Sequence, residues 1–282
     1  MKKKILLIAG PTASGKSSRA VEEALARGGE VISVDSRQVY RGLDIGTEKI
    51  TKEEMKGVPH HLIDIRDSQE TYGAGDFVKD AERLIDEIIA RGKLPILAGG
   101  THFYFDALLY GLPETPEINQ ALRTKLEGLT DEELFAQIEA LDPRRAAMLD
   151  PKNRRRLIRA LEIVAAHGRV PDRSRAEPRY DIEWIVLNPP PEELRERIDT
   201  RLKQALQNGL IEEVRAVRAE VGDARLDELG LEYRVVGEYL RGERSAPSLL
   251  PQLSAKLWQY ARHQKAWLRK LNPAISSRPG KN

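Results

Sequence analysis

The stretch that constrains this chain most is GPTASGKS, Gly10 to Ser17, which fits the phosphate-binding pattern G-x-x-x-x-G-K-[ST]. Such a loop works where a buried strand feeds it and a helix leaves it, because inward-turned N–H groups and the helix N-terminus together make the anion site. Both flanks are present. Lys4 to Ala9 is a short apolar run of strand character, and Ser17 to Arg27 reads as a helix stopped by Gly28-Gly29. Gly10 and Gly15 permit the backbone turns, with Pro11, Thr12, Ala13 and Ser14 between them. Lys16 adds a point charge, and the Ser17 hydroxyl is the candidate Mg²⁺ ligand. The loop selects a pyrophosphate and leaves open whose pyrophosphate it is.

The alternation of strands and helices continues. Val31 to Val34 reads as a second buried strand, a helix spans about Asp76 to Ala90, and Leu94 to Ala98 makes another strand. The pattern predicts an α/β fold: a P-loop-type parallel sheet core flanked by helices, with ligands at the strand C-termini. Prolines at 113 and 116 break the pattern. Helical stretches follow at Asn119 to Glu127, Asp131 to Ala140 and Asn153 to Ala166, the second opened by a Thr130/Glu133 capping box. A Pro- and Arg-rich link, Val170 to Arg179, returns to a strand at Trp184 to Leu187. The expected organisation is a core of 1–113 and 181–271 with C-terminal helices, an all-helical insertion at 114–180, and a tail at 272–282.

Composition narrows the setting. With no cysteine among 282 residues, disulfides and cysteine-ligated zinc are excluded. The N-terminal apolar run ends at Gly10-Pro11, too short for a signal peptide, and no later stretch approaches a membrane span, so a cytoplasmic protein without membrane association is expected. Net charge is only +2, yet Pro143 to Arg179 carries eleven Lys or Arg against four acids, and the stretch from Ala255 onward carries seven bases and no acid. Two separated basic blocks on a nearly neutral chain fit a polyanionic partner larger than a nucleotide; solvated helix faces are the plainer reading.

In VISVDSRQVYRGLDIGT, residues 31 to 47, Asp35 ends the strand expected beside the one feeding the phosphate loop. A carboxylate there can take a proton from an attacking nucleophile or bind Mg²⁺ through water. An Asp-Ser pair is also a common turn former, so both readings stand at this point.

The ordered motifs resemble the bacterial tRNA dimethylallyltransferase family. They are GPTASGKS (10–17), DSRQVYRGLDIGT (35–47), PHHLID (59–64), YGAGDF (72–77), GGTHFYFDALLYGL (99–112), RRRLIRALEI (154–163), LNPPPEELRERIDTRL (187–202) and ARHQKAWLR (261–269). The resemblance implies transfer of a dimethylallyl group from dimethylallyl diphosphate to the N6 amine of the adenosine 3′-adjacent to the anticodon in tRNA. It implies Asp35 as base, with Thr101 and Arg201 at the substrates and the loop, Mg²⁺ at Ser17 included, around the diphosphate. It further implies contacts to the tRNA anticodon stem-loop from Asp35, Ser36, Arg37 and Gln38 around a flipped base, from Arg123 and the segment Arg155, Arg156, Leu157, Ile158 and Arg159 in the insertion, and from His263, Gln264, Lys265 and Arg269. Trp267 reads as a core or hinge residue, Arg197 has a weaker claim on the diphosphate than Arg201, and no protein partner is implied.

The chain departs from the family pattern in places. The usual G-Y-[KR] is interrupted here, Gly230 and Tyr233-Arg234 being separated by Leu231-Glu232. Gly73-Ala74 replaces Ser-Ala, and Ala266 replaces the Thr before Trp267. Three other readings remain beside the resemblance: a P-loop kinase or ATPase for a small metabolite, a prenyltransferase acting on free adenine nucleotide, and a non-catalytic RNA-binding module. The basic blocks speak against the first two, and Asp35 beside the loop against the third.

Overall fold

A computed structural model describes residues 2–112, 116, 119–171 and 177–271; the tail expected at 272–282 lies outside them. Strand β1, Lys4–Ala9, enters the phosphate loop and helix α1, Lys16–Arg27. Gly28, left-handed at φ 65°, closes that helix by donating its N–H to the Ala24 carbonyl, and β2 follows at Gly29–Val34. A one-turn helix α2, Lys52–Met55, carries a Thr51/Glu54 capping box and precedes the two-residue strand β3, His60–His61. Then come α3, Ala74–Ala90, β4, Leu94–Gly99, and α4, His102–Tyr110. Helices α5, Gln120–Glu127, α6, Asp131–Leu141, α7, Pro143–Ala146, and α8, Arg154–His167, follow. Strand β5, Asp181–Val186, leads to α9, Pro191–Gln207, α10, Leu210–Glu228, α11, Leu231–Leu240, and α12, Leu249–Leu271.

The five strands form one parallel sheet in the order β3-β2-β4-β1-β5. Ile5 to Ala9 of β1 are wholly buried, which is why the strand reads as an unbroken apolar run. The order corrects one expectation: β2 is not the neighbour of β1, because β4 lies between them. The chain end of each strand nevertheless opens on one sheet edge, so the phosphate loop after β1, Asp35 after β2 and Gly100-Thr101 after β4 emerge side by side.

The chain divides into two compact units, Met1–Tyr110 with Pro178–Asn282, and Gly111–Glu177. The second packs α5 to α8 on its own core, with Leu134, Ile138 and Leu157 fully buried. Within it Asp142 accepts from Arg145 N–H at 3.0 Å and Val170 N–H at 2.9 Å. Among the described residues no helix is long and apolar enough to cross a membrane.

Candidate active site

The phosphate loop turns through two residues in the left-handed region. Gly15 and Ala13 are left-handed, at φ 86° and 59°. Gly10 has no room for a side chain, since a Cβ there would lie 2.7 Å from the Leu187 carbonyl oxygen. Lys16 Nζ donates to the Pro11 carbonyl at 2.6 Å. Burial pushes the Lys16 ammonium down to about 8, against the attraction of Asp35 and Glu48, and the Arg201 charge acts in the same direction as burial. Ser17 is exposed in the first turn of α1, and the buried Ser14 Oγ has no hydrogen-bond partner among the described residues.

Thr12 is gripped at both ends. Its N–H donates to Gln264 Oε1 at 2.8 Å, and its Oγ1 accepts from Arg201 at 2.5 Å. The Arg201 side chain is only 13% exposed and lies 3.3 Å from each of Glu48 and Glu232. Burial pushes the Glu232 carboxyl up, with Arg201 opposing. Arg197 is exposed and pairs with Glu193 at 2.5 Å along α9, a solvated i,i+4 pair.

On the far side of β4 the backbones crowd together. A Cβ on Gly99 would lie 2.0 Å from the Val34 carbonyl oxygen, so only glycine lets β4 end against β2 here. Thr101 N–H then donates to that Val34 oxygen at 3.1 Å, and Thr101 Oγ1 accepts from Ser36 N–H at 3.0 Å. Thr101 therefore fixes the turn that carries Asp35. Asp35 Oδ1 accepts from the N–H groups of Arg37 at 2.8 Å and Gln38 at 3.3 Å. Oδ1 thus makes the turn, as the turn-forming reading of the Asp-Ser pair expects.

The opposite wall is braced by a carboxylate. Glu213 on α10 accepts from the N–H groups of Asp44, Ile45 and Gly46 at 3.0, 2.7 and 2.9 Å, and from the Tyr233 hydroxyl at 2.7 Å. Gly46 sits so close to the Tyr233 ring that a Cβ would lie 2.8 Å from it. Gln38 spends its amide on the same wall, donating to the carbonyls of Thr47 and Glu48 at 3.2 and 3.3 Å. Lys49, only 6% exposed, ties the wall to the PHHLID loop by contacts of 2.5 Å to both Asp44 and Asp64.

These groups enclose a cavity of about 250 Å³, bounded by the phosphate loop, the Asp35 turn, Thr101, Arg201 and the faces of α11 and α12. Glu48, Glu232 and Tyr260 are among the lining residues that the sequence did not single out as site residues. Glu232 lies within the Leu231-Glu232 interruption of the family pattern, and Tyr260 shares a face of α12 with Leu257 and Gln264, a spacing of three and four that was there to be read. Tyr260 remains 43% exposed at the mouth.

The basic residues expected to meet RNA behave differently from one another. Arg155 and Arg156 are exposed on α8, whereas Arg123 and Arg159 converge on the buried Glu162 at 3.0 and 2.8 Å. Leu157 and Ile158 are buried in the unit's own core, where the helical period turns them, which corrects the expectation that their side chains face outward to a partner. On α12, His263 and Arg269 are exposed, Trp267 is half-buried, and Lys265 donates to the Pro189 carbonyl at 3.0 Å. Gln264 is buried, and its amide is spent on the phosphate loop and on the Gly100 carbonyl at 2.9 Å.

No cluster of three or more His, Asp or Glu able to hold a metal occurs among the described residues. A hydroxyl at Ser17 and a carboxylate at Asp35 lining one cavity do fit Mg²⁺, which takes one or two protein oxygens and completes its shell with phosphate and water.

The fold and cavity define a class: a phosphate-loop α/β protein whose loop shares one cavity with a carboxylate. A family model described as IPP transferase matches residues 38–271. The chain is 42% identical to a tRNA dimethylallyltransferase of Thermomicrobium roseum over 96% of its length and 84% of the relative's. It is 39% identical to one of Leuconostoc mesenteroides over 96% and 92%. Among solved structures it resembles the tRNA isopentenylpyrophosphate transferase of Bacillus halodurans, at 37% identity and a TM-score of 0.71, covering 95% of this chain and 87% of that one. A eukaryotic dimethylallyltransferase acting on tRNA superposes with a TM-score of 0.79 at 27% identity, covering 94% and 70%. The chain belongs to the IPP transferase family.

Proposed function

We propose that this enzyme transfers the dimethylallyl group of dimethylallyl diphosphate to the N6 amine of the adenosine 3′-adjacent to the anticodon in tRNA. The observation that carries the reading is that Asp35 lines the same cavity as Lys16, Thr12 and Arg201. The exocyclic amine is a weak nucleophile because its lone pair is delocalised into the purine. As N6 bonds to C1 of the prenyl group, the C1–O bond breaks, diphosphate departs and Asp35 accepts the N6 proton. The phosphate loop, Lys16 and Arg201 line the same cavity and are the donors available to the growing charge on the leaving group. Ser17 would hold Mg²⁺, with Asp35 lining the same cavity, and the ion would supply further charge neutralisation there.

The adenine must leave its stack to reach a chamber of this size, and Ser36, Arg37 and Gln38 border its expected place, with Thr101 holding their turn. Arg155 and Arg156 on α8, and His263 and Arg269 on α12, are the exposed candidates for phosphate contacts to the anticodon stem-loop. A tRNA substrate would place the enzyme in the cytoplasm. The test is incubation with dimethylallyl diphosphate, Mg²⁺ and unmodified tRNA, followed by mass spectrometry of the digested RNA. A five-carbon addition to one adenosine is expected; an unaltered digest, or turnover of ATP without RNA, would contradict the reading.

A further inference from the structure

We infer that Gln264 is a positioning residue that holds the diphosphate cradle in register with the adenine side of the chamber, and is not a reader of RNA. Gln264 is 4% exposed, so little of it can reach a macromolecule. Both ends of its amide are committed inside the core unit. Oε1 accepts from Thr12 N–H at 2.8 Å and Nε2 donates to the Gly100 carbonyl at 2.9 Å.

Those two partners lead to opposite halves of the reaction. Thr12 belongs to the phosphate loop, and its hydroxyl receives Arg201. Gly100 precedes Thr101, whose hydroxyl holds the Ser36 N–H one residue beyond Asp35. One carboxamide thus bridges the loop that binds the leaving group and the turn that presents the base. The site fits this amide closely, since a Cβ on Gly100 would lie 2.7 Å from Gln264 Nε2. The neighbours His263 and Arg269 on α12 are exposed, so the helix can meet RNA with one face while Gln264 works from the other.

The inference rests on the diphosphate reading above, so the experiment separates the two. Gln264→Met keeps the volume and removes both hydrogen bonds; Gly100→Ala attacks the same contact from the other side should the first variant not fold. Three quantities are measured for each: the inhibition constant of inorganic pyrophosphate, kcat, and the dissociation constant for unmodified tRNA without diphosphate. Both variants are expected to bind pyrophosphate at least fivefold more weakly and to lose at least tenfold in kcat, with tRNA affinity within twofold of wild type. A tenfold loss of tRNA affinity with pyrophosphate inhibition unchanged would overturn the inference, as would wild-type values throughout. Wild-type enzyme that pyrophosphate does not inhibit would sink the diphosphate reading itself, and this inference with it.

Discussion

Lys16 carries the sharpest conflict at the residue scale. Burial drives its ammonium to lose its proton near pH 8, yet the proposed role of Lys16 needs the charge. In the free enzyme the charged form prevails below about 8 and is lost as pH rises through it. A bound diphosphate favours the charged form, so its arrival shifts the balance back. The expected outcome is that kcat/KM for dimethylallyl diphosphate falls tenfold per pH unit above about 8, while kcat at saturation holds to higher pH; pH-rate profiles check this, and Lys16→Arg should remove the limb. His102 faces the same pressure, pushed down to about 4 by burial and then by the Lys16 charge, and so stays neutral through the working range. The phosphate loop was legible from sequence because its chemistry is local: eight consecutive residues make it. Glu232 was not, because its meaning comes from Arg201, a residue thirty-one positions earlier that folding brings to 3.3 Å.

At the scale of elements, the chamber depends on a carboxylate, Glu213, that does not line it. The Glu213 carboxylate gathers three N–H groups and one hydroxyl and so sets the position of the loop bearing Glu48. Glu213→Ala is expected to cost about 3 kcal/mol of stability, read from urea unfolding, and to raise KM for the diphosphate substrate. Gly46→Ala, which sets a methyl against the Tyr233 ring, should cost about 1–3 kcal/mol by the same measurement. Strands β1, β2 and β4 were legible as apolar runs bounded by glycine. Helix α4 was not seen as a helix, since seven of its nine residues are buried and it shows no polar face to give it a period. Strand β3 is two residues long and leaves no periodic trace, and the insertion of β4 between β1 and β2 is a property of the crossover, invisible in either strand.

For the whole molecule, the separated basic blocks and the enclosed chamber predict two different responses to salt. Contacts from exposed arginines release counterions, so tRNA affinity should fall roughly 10²–10³-fold between about 50 and about 200 mM salt for roughly five phosphate contacts. Pyrophosphate inhibition, governed by partly buried Lys16 and Arg201, should weaken far less over the same range, and filter binding beside inhibition assays compares the two. The account as a whole turns on Asp35 as the acceptor of the amine proton. Its most direct test is single-turnover prenyl transfer by Asp35→Asn at saturating tRNA and dimethylallyl diphosphate, since the amide can keep the turn through Oδ1. The rate is expected to fall about 10²–10⁴-fold with tRNA affinity within twofold of wild type. A rate within threefold of wild type would contradict the account.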